Sequence, residues 1–218
     1  SSDVCSSDLS ILYYYWGTMP IKLFKNINNL MLIRVHGGEI ELERNNNYIP
    51  LLKEKFDPSN KRIYLPISTS ADKQLKKFNS QLNTKIARLG VADNGLNPKP
   101  KDNIITIVSC SSLIPLKRVH LIVYALTLID KHKVHWIHFG GGALYDEIQY
   151  KIKSLSSNIL VDFKGQVSNY EVINFYKNNP IDLFINVSET EGVPVSIMEA
   201  LSFGIPCFAT DVGGTSEI

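Results

Sequence analysis

The chain has 218 residues, of which 44% are hydrophobic and 20% charged, a globular composition that excludes wholesale disorder and collagen-like structure. Its 23 Lys and Arg against 21 Asp and Glu leave a net charge of +2, which argues against a strongly basic nucleic-acid-binding protein. The three cysteines are too few and too scattered for a disulfide framework or a zinc knuckle, and no apolar run reaches the roughly 18 residues of a transmembrane helix. These features predict a cytoplasmic protein whose membrane contact, if any, is peripheral.

The two ends of the sequence are unusual. Residues 1–9 read SSDVCSSDL, a polar stretch of low complexity that is typical of a non-native leader, so we exclude it from fold prediction. The following ILYYYWG shows neither helical nor strand periodicity. The last residues, DVGGTSEI, stop where a helix would begin. We therefore expect the sequence to be truncated at both ends.

Residues 10–95 predict part of an N-terminal α/β domain. The predicted elements are strands Leu30–Val35, Arg62–Pro66 and Thr84–Leu89, and a helix from a cap at Ser68 or Ser70 to Phe78. The next stretch is rich in Asn, Pro, Gly and charge, which is typical of a linker, and we place the linker at residues 96–103.

Residues 104–218 alternate between strands and helices. The predicted strands are Ile104–Cys110, Val134–Phe139, Ile159–Lys164, Asp182–Val187 and Pro206–Thr210, and the predicted helices are Leu116–Asp130, Ala143–Leu155, Ser168–Lys177 and Pro194–Phe203. This order predicts parallel βαβ units in a doubly wound sheet. Ligands of such sheets bind beyond the carboxyl ends of the strands, so the loops that follow the strands are the candidate site.

The loop before the last predicted helix carries the strongest pattern. Glu191 follows a buried strand, and Gly192 allows the backbone to come close to a ligand. Pro194 fits the first helical position, which predicts that the N–H groups of Val195 to Met198 form an open helix end suited to an anion. Glu199 lies about one turn into the helix. Paired carboxylates here suit the hydroxyls of a sugar or ribose attached to a phosphate, although a helix-dipole partner and a solvated glutamate would give the same spacing.

The string EGVPVSIMEALSFGIPCFATDVGGTSEI resembles the donor-binding segment of the family-4 retaining glycosyltransferases, which have the GT-B fold of two Rossmann-like domains. The positions that match the family pattern are Glu191, Glu199, Gly204, Pro206, Asp211, Gly213, Gly214 and Glu217. The resemblance implies that Glu191 is catalytic and contacts the transferred sugar, and that Glu199 holds the ribose. It also implies that the intervening backbone meets sugar and phosphate at Gly192, Val193, Pro194 and Val195.

The resemblance extends upstream. SCSSLIPLKRVHLIVYAL is similar to the family's first loop of the donor domain, which implies that Lys117 binds the diphosphate; the alternative is a solvated lysine at a helix start. The family often has an Arg where this chain has Ser112. Either Lys117, with Arg118 nearby, neutralises the phosphate charge, or Ser112 forms a hydrogen bond where the guanidinium would reach.

Three shorter segments also resemble the family. FGGGALYDEI matches a Gly-x-Gly turn at Gly141, and FKGQVSNYEVINFY matches the backbone along the nucleobase from Gly165 to Val167. LMLIRVHGGE resembles the acceptor-side loop, which implies a catalytic role for His36; capping or bridging across the loop is the alternative role for this histidine.

The resemblance implies transfer of a sugar from a UDP- or GDP-linked donor to a hydroxyl acceptor, with retention and without metal or cofactor. The expected pathway is polysaccharide or lipopolysaccharide synthesis at the inner face of the cytoplasmic membrane, with a glycan or lipid-linked acceptor and no nucleic-acid partner. The residues Tyr13–Trp16, Lys22 and Lys25 could touch the membrane, although core packing explains the aromatic residues equally well.

Other functions remain open at this point. The acceptor domain is expected to be incomplete and the donor domain to lack its last helices, which leaves a non-catalytic nucleotide-sugar-binding module as an alternative. A phosphorylase or epimerase of the same fold is a second alternative. An oxidoreductase would require GxGxxG after the first strand, where this chain has SSLIPLK.

Overall fold

A computed structural model of the chain describes residues 11–15, 30–36, 61–100 and 103–218. The chain divides into two compact units, one formed by Ser1–Leu89 with Ser216–Ile218 and the other by Gly90–Thr215. The proposed leader at residues 1–9 and the possible membrane residues Trp16, Lys22 and Lys25 lie outside the described residues. The predicted domain limits stay a prediction. In the described part of the chain, no helix is long and apolar enough to cross a membrane.

The first unit contains a parallel sheet of three strands in the order β1-β2-β3, which are Ile11–Tyr14, Leu30–Val35 and Arg62–Pro66, followed by helix α1 at Thr69–Phe78. Strand β2 alternates between half-buried and buried residues, as expected of the central strand beside a helix. Its buried residues Met31, Ile33 and Val35 pack with residues of β3 and α1. Strand β1 was not predicted, because its run of apolar and aromatic residues lacks polar alternation.

The predicted third strand Thr84–Leu89 is wrong. Only an isolated bridge joins Thr84 to Tyr64, although Ala87 N–H still donates to the carbonyl of Pro66 at 2.9 Å. A regular ladder cannot continue past Pro66, because proline has no N–H to donate. The Arg34 guanidinium instead donates to the carbonyls of Ala87 and Arg88, at 3.0 and 3.2 Å.

The first turn of α1 is held by the residue before it and by Glu217 near the C-terminus. Ser68 caps the helix, as predicted, by accepting the N–H of Ala71 at 3.0 Å. The Glu217 carboxylate accepts the N–H groups of Thr69 and Ser70, at 2.8 and 2.9 Å. Burial alone would raise the pKa of Glu217, but these backbone hydrogen bonds and the Arg88 guanidinium lower it. The last residues of the chain therefore belong to the first unit.

The second unit is the doubly wound α/β fold that the alternation predicted. Along the chain its elements are β4 (Ile104–Cys110), α2 (His120–Thr127), β5 (Lys133–Phe139), α3 (Tyr145–Ile152), β6 (Ile159–Gly165), α4 (Asn169–Asn178), β7 (Leu183–Asn186), α5 (Val195–Ser202) and β8 (Cys207–Ala209). The five strands are parallel and lie in the order β6-β5-β4-β7-β8.

Helices cover both faces of this sheet. Helices α2 and α3 pack on one face through Ile122, Val123, Leu126 and Ile148 against Ile107, Val134 and Trp136. Helices α4 and α5 pack on the other face through Val172, Tyr176, Ile197 and Ala200 against Val108, Ile137, Phe139 and Phe184. Successive residues of β4 and β5 serve opposite faces, so Ile107 and Trp136 pack in one cluster and Val108 and Ile137 in the other. This burial on both faces explains why the alternation of strands and helices in residues 104–218 could be recognised in the sequence.

The predicted helix Leu116–Asp130 is shorter in the structure. A 3₁₀ turn occupies Pro115–Lys117, Arg118 adopts a left-handed conformation with φ 45°, and α2 begins only at His120. Its buried residues Ile122, Val123 and Leu126 follow helical spacing, but periodicity does not reveal a left-handed residue that interrupts the backbone ladder.

Part of the predicted linker is anchored to the second unit. The Asn97 amide donates to the carbonyls of Tyr176 and Asn179, and its oxygen accepts the N–H of Ile181 at 2.9 Å. The Asn97 N–H donates to the carbonyl of Phe203 at 2.8 Å. One asparagine therefore joins the ends of α4 and α5.

A buried polar group lies between strands β4 and β5. The Trp136 indole N–H donates to Ser109 Oγ at 2.9 Å, and Ser109 Oγ lies 2.8 Å from His138 Nδ1. Since the serine oxygen already accepts from tryptophan, its hydroxyl hydrogen is available to the imidazole. His138 is fully buried, and burial lowers its pKa to about 4 despite an opposing backbone hydrogen bond at Ser111.

We expect the second unit to lose stability as the pH falls from about 7 towards 4. In this range the unfolded chain binds a proton at His138, whereas the folded chain does not, so acid favours unfolding by at most about 3 kcal/mol. Denaturant unfolding at several pH values measures this slope. The His138→Gln chain has no titratable group at this position, so its unfolding free energy is expected to change less with pH. Equal slopes in the two chains would contradict a neutral His138.

Candidate functional site

The loops after β4 and β7 bring together the two residues with the strongest predicted roles. Lys117 lies on the 3₁₀ turn after β4, and Glu191 lies in the loop after β7. Lys117 Nζ is 2.6 Å from Glu191 Oε1, and both side chains are largely buried. The main chains also join here, because Glu189 N–H donates to the carbonyl of Leu116 at 2.9 Å. The residue predicted to bind the diphosphate and the residue predicted to contact the sugar are therefore in contact with each other.

The loop after β8 fixes the backbone of Glu191. Gly214 N–H donates to the carbonyl of Gly192 at 2.8 Å. Gly213 has φ +58°, and a Cβ built on it would lie only 1.7 Å from the carbonyl oxygen of Glu191. Only glycine permits this approach, because any side chain would overlap the Glu191 backbone.

The amino end of α5 differs from the prediction. Pro194 is the N-cap residue, with ψ 101°, and not the first helical residue. Its carbonyl accepts the N–H groups of Ile197 and Met198, at 3.1 and 3.3 Å. Among the described residues, no acceptor takes the N–H of Val195 or Ser196. The open end of the helix therefore consists of two N–H groups and not the four that were predicted.

Glu199 lies further along α5 and has a different environment. Its Oε1 accepts the Asn169 amide N–H, at 2.7 Å, from the first residue of α4. Burial raises the pKa of Glu199, and the Asn169 hydrogen bond partly lowers it again. Asn169 was not among the predicted site residues, although its position just after the cap of a helix beyond β6 could have indicated it.

Arg118 is placed differently from the expectation that it assists at the phosphate. Its Nε donates to the carbonyl of Val187 at 2.8 Å, and its Nη2 donates to the carbonyl of Ser188 at 3.0 Å. Thr210 Oγ1 donates to the same Ser188 carbonyl. The guanidinium therefore holds the backbone between β7 and Glu191, and the phosphate role stays a prediction.

Arg118→Lys is expected to loosen this loop, because one ammonium group cannot replace a planar guanidinium that bridges two carbonyls. We expect amide hydrogen exchange at residues 187–193 to quicken about tenfold, equivalent to the loss of roughly one net hydrogen bond. Lys177→Arg, on the exposed side of α4, is the matched control. Unchanged exchange combined with weaker nucleotide binding would instead assign Arg118 to the phosphate.

The glycine turn after β5 joins the neighbouring loops. Gly140 has φ +127°, and a Cβ there would lie 1.9 Å from the carbonyl oxygen of Ser111. Gly140 N–H donates to the carbonyl of Gly165 at 2.8 Å, and the carbonyl of Gly141 accepts the N–H of Leu113 at 2.9 Å. The predicted nucleobase segment at Gly165 to Val167 is thus hydrogen-bonded to this turn through the carbonyl of Gly165. Its role, like that of Gly141, stays a prediction.

His36 belongs to the first unit, immediately after β2. Its Nε2 lies 2.9 Å from the carbonyl oxygen of Tyr15, and the two rings are 4.7 Å apart. These contacts fit the alternative of a bridging role, and the catalytic role stays a prediction. Of the residues in the described ranges, no three His, Cys, Asp or Glu are grouped to hold a metal ion.

Comparison with known proteins places this site in a family. The family model for Glycosyl transferases group 1 matches residues 93–218, which include both loops of the Lys117–Glu191 pair. The O-antigen biosynthesis glycosyltransferase WbnH of Escherichia coli is 31% identical over 102 residues, which cover 47% of this chain and 27% of WbnH.

Solved structures share the fold. The lipopolysaccharide outer core galactosyltransferase WaaB in its apo form superimposes with a TM-score of 0.72 at 18% identity, over 95% of this chain and 58% of that chain. Anabaena Alr3699/HepE in complex with UDP-glucose gives 0.70 at 19% identity, over 95% of this chain and 61% of that chain. The chain thus spans only part of the length of its relatives. It has the parallel α/β architecture of the GT-B glycosyltransferases, and it belongs to the Glycosyl transferases group 1 family.

Proposed function

We propose that the chain is part of a retaining glycosyltransferase of the family-4 type, which transfers a sugar from a nucleotide diphosphate to a hydroxyl acceptor. The observation that carries this proposal is the 2.6 Å contact between Lys117 Nζ and Glu191 Oε1. In the donor the sugar is bonded directly to the diphosphate, so a cation for one and a carboxylate for the other must be neighbours. Family membership supports the same assignment.

Each residue then has a separate role at the donor. Lys117 and the open N–H groups of Val195 and Ser196 hold the diphosphate. The Glu191 carboxylate accepts hydrogen bonds from sugar hydroxyls, and Glu199 accepts them from the ribose. The remaining proposed contacts are backbone contacts to sugar, phosphate and base, made by Gly141, Gly165, Val167, Gly192, Val193 and Pro194.

The chemistry rests on stabilising the leaving group. As the bond between the sugar carbon and the diphosphate oxygen breaks, negative charge grows on the diphosphate, and Lys117 with the end of α5 stabilises it. The acceptor hydroxyl bonds to the sugar carbon on the same face, and its proton passes to the departing phosphate oxygen. In this proposal Glu191 and Glu199 are not the acid and nucleophile of a retaining glycosidase, and neither a metal nor a cofactor takes part.

The wider role is proposed from the relatives. WbnH is named for O-antigen biosynthesis and WaaB for the lipopolysaccharide outer core, which supports a glycan of the cell envelope as the product. The proposed acceptor is a glycan or lipid-linked glycan, and the proposed location is the cytoplasm, with peripheral contact at the inner membrane face. The Alr3699/HepE complex contains UDP-glucose, so UDP-linked donors are the first to test, followed by GDP-linked ones.

Calorimetric titration of the chain with UDP, UDP-glucose, GDP and GDP-mannose tests the proposal. We expect one of the two nucleotides and the corresponding nucleotide sugar to bind. We also expect Glu199→Gln to weaken binding of the nucleotide about tenfold, because a neutral amide accepts ribose hydroxyl hydrogens less strongly than a carboxylate. Glu147→Gln, on the exposed surface of α3, is the control. If neither nucleotide binds and Glu199→Gln changes nothing, the proposal fails.

A hydrolysis assay separates the alternatives. A transferase is expected to release free sugar slowly from its donor, with water in place of the acceptor, when the complete protein is assayed. Donor binding without turnover would favour the non-catalytic module. Phosphate-dependent cleavage of a glycan would favour a phosphorylase, and conversion of the donor sugar to its epimer would favour an epimerase.

A further inference from the structure

The carboxylate of Glu191 has a second partner that the motif does not contain. Asn186 is the last residue of β7, and its Nδ2 donates to Glu191 Oε1 at 3.2 Å. Lys117 Nζ contacts the same oxygen at 2.6 Å. No contact from the described residues to the other oxygen, Oε2, is present. That oxygen is therefore the one available to a ligand.

The orientation of the Asn186 side chain is determined by its other end. Its Oδ1 accepts the N–H of Ser188 at 2.9 Å, so Nδ2 must face Glu191. Asn186 is only 7% exposed, and its own carbonyl accepts the N–H of Thr210 at 3.1 Å. A buried amide fixed on both sides holds its donor in one position.

Binding of a diphosphate changes which of its two partners the Glu191 carboxylate keeps. Lys117 is the cation of the pair, and an incoming phosphate competes with Glu191 for its ammonium group. Asn186 is neutral and held at the end of β7 by its own hydrogen bonds, so the phosphate does not draw it away from Glu191. It therefore keeps its hydrogen bond to Glu191 when Lys117 turns to the phosphate.

We propose that Asn186 is a positioning residue that aims the Glu191 carboxylate at the hydroxyls of the donor sugar. The inference rests on the proposed function. It adds Asn186, which precedes the motif that begins at Glu191, as a residue that determines affinity for the sugar part of the donor. Asn186 touches no ligand itself.

Asn186→Asp isolates this role. The aspartate keeps an oxygen for the Ser188 N–H but replaces the donor to Glu191 with a second negative oxygen, which repels the carboxylate. We expect the affinity for UDP-glucose to fall about tenfold and that for UDP less than threefold, with GDP-mannose and GDP as the probes if those bind. Asn174→Asp is the matched control, because Asn174 on α4 likewise uses its Oδ1 to accept an amide N–H, from Asn178.

A double-variant cycle with Glu191→Gln distinguishes positioning from a merely structural role. If Asn186 acts through Glu191, the Glu191→Gln change lowers the affinity for UDP-glucose less in the Asn186→Asp chain than in the unchanged chain. Hydrogen exchange at residues 188–193 is expected to stay the same in Asn186→Asp. Additive losses of affinity in the double variant would overturn this inference. So would equal losses of affinity for UDP and UDP-glucose together with faster hydrogen exchange at residues 188–193. Either result leaves the proposed function intact. Failure of the unchanged chain to bind any of the four probes would overturn the proposed function and this inference with it.

Discussion

The Lys117→Ala chain is expected to bind UDP-glucose or GDP-mannose about a hundredfold more weakly than the unchanged chain. The substitution removes a charge-assisted hydrogen bond to the diphosphate, which contributes about 2–3 kcal/mol. It also leaves the largely buried Glu191 carboxylate without its cation, so the site presents a net negative charge to an anionic ligand. Calorimetric titration measures both the nucleotide and the nucleotide sugar.

Two further variants make this result specific. Lys177→Ala removes an exposed lysine from the same unit and is expected to leave the affinity within twofold. Lys117→Arg keeps the positive charge and is expected to retain more affinity than Lys117→Ala. If Lys117→Ala binds the donor as tightly as the unchanged chain, Lys117 serves only as the ion-pair partner of Glu191 and the diphosphate lies elsewhere.

The Gly213→Ala chain is expected to show the largest loss of stability among single substitutions near the site. The new Cβ would lie 1.7 Å from the carbonyl oxygen of Glu191, so the Glu191 backbone must move. Overlap and the positive φ together are expected to cost about 3 kcal/mol or more, equivalent to roughly 10 °C in the melting temperature of the second unit. Thermal unfolding measures the loss.

Gly95→Ala is the matched control for backbone strain. Gly95 also has a positive φ, +84°, but a Cβ there meets nothing within 4 Å. Its expected cost is about 1 kcal/mol, from the left-handed conformation alone. If the two variants lose equal stability, the approach of the β8 loop to Glu191 is not a constraint, and donor affinity in Gly213→Ala would then also be unchanged.

The sequence predicted most of the second unit for a physical reason. Strands β4 and β5 are buried on both faces, so their apolar runs stand out from the helices between them. The first unit was harder to predict. Strand β1 lacks polar alternation, and the segment after Thr84 bonds to β3 without forming a ladder because Pro66 has no N–H.

The candidate site was predictable in its motif residues but not in their partners. Lys117 and Glu191 lie 74 residues apart, and only the parallel order of β4 and β7 brings their loops together. The guanidinium of Arg118 was expected near a phosphate, but its contacts with two carbonyls depend on a left-handed backbone that no spacing reveals. Asn186 carries no motif signal, and Asn169 is marked only by its position just after the cap of α4; the contacts of both with glutamate oxygens are visible only in the structure.

A crystal structure of the chain with UDP-glucose or GDP-mannose tests whether Lys117 and Glu191 together form the donor site. We expect the diphosphate within hydrogen-bond distance of Lys117 Nζ and of the Val195 or Ser196 N–H. We also expect sugar hydroxyls on Glu191 Oε2, with the Asn186 contact retained. A nucleotide sugar bound away from these residues, with the 2.6 Å Lys117–Glu191 pair unchanged, would contradict this assignment.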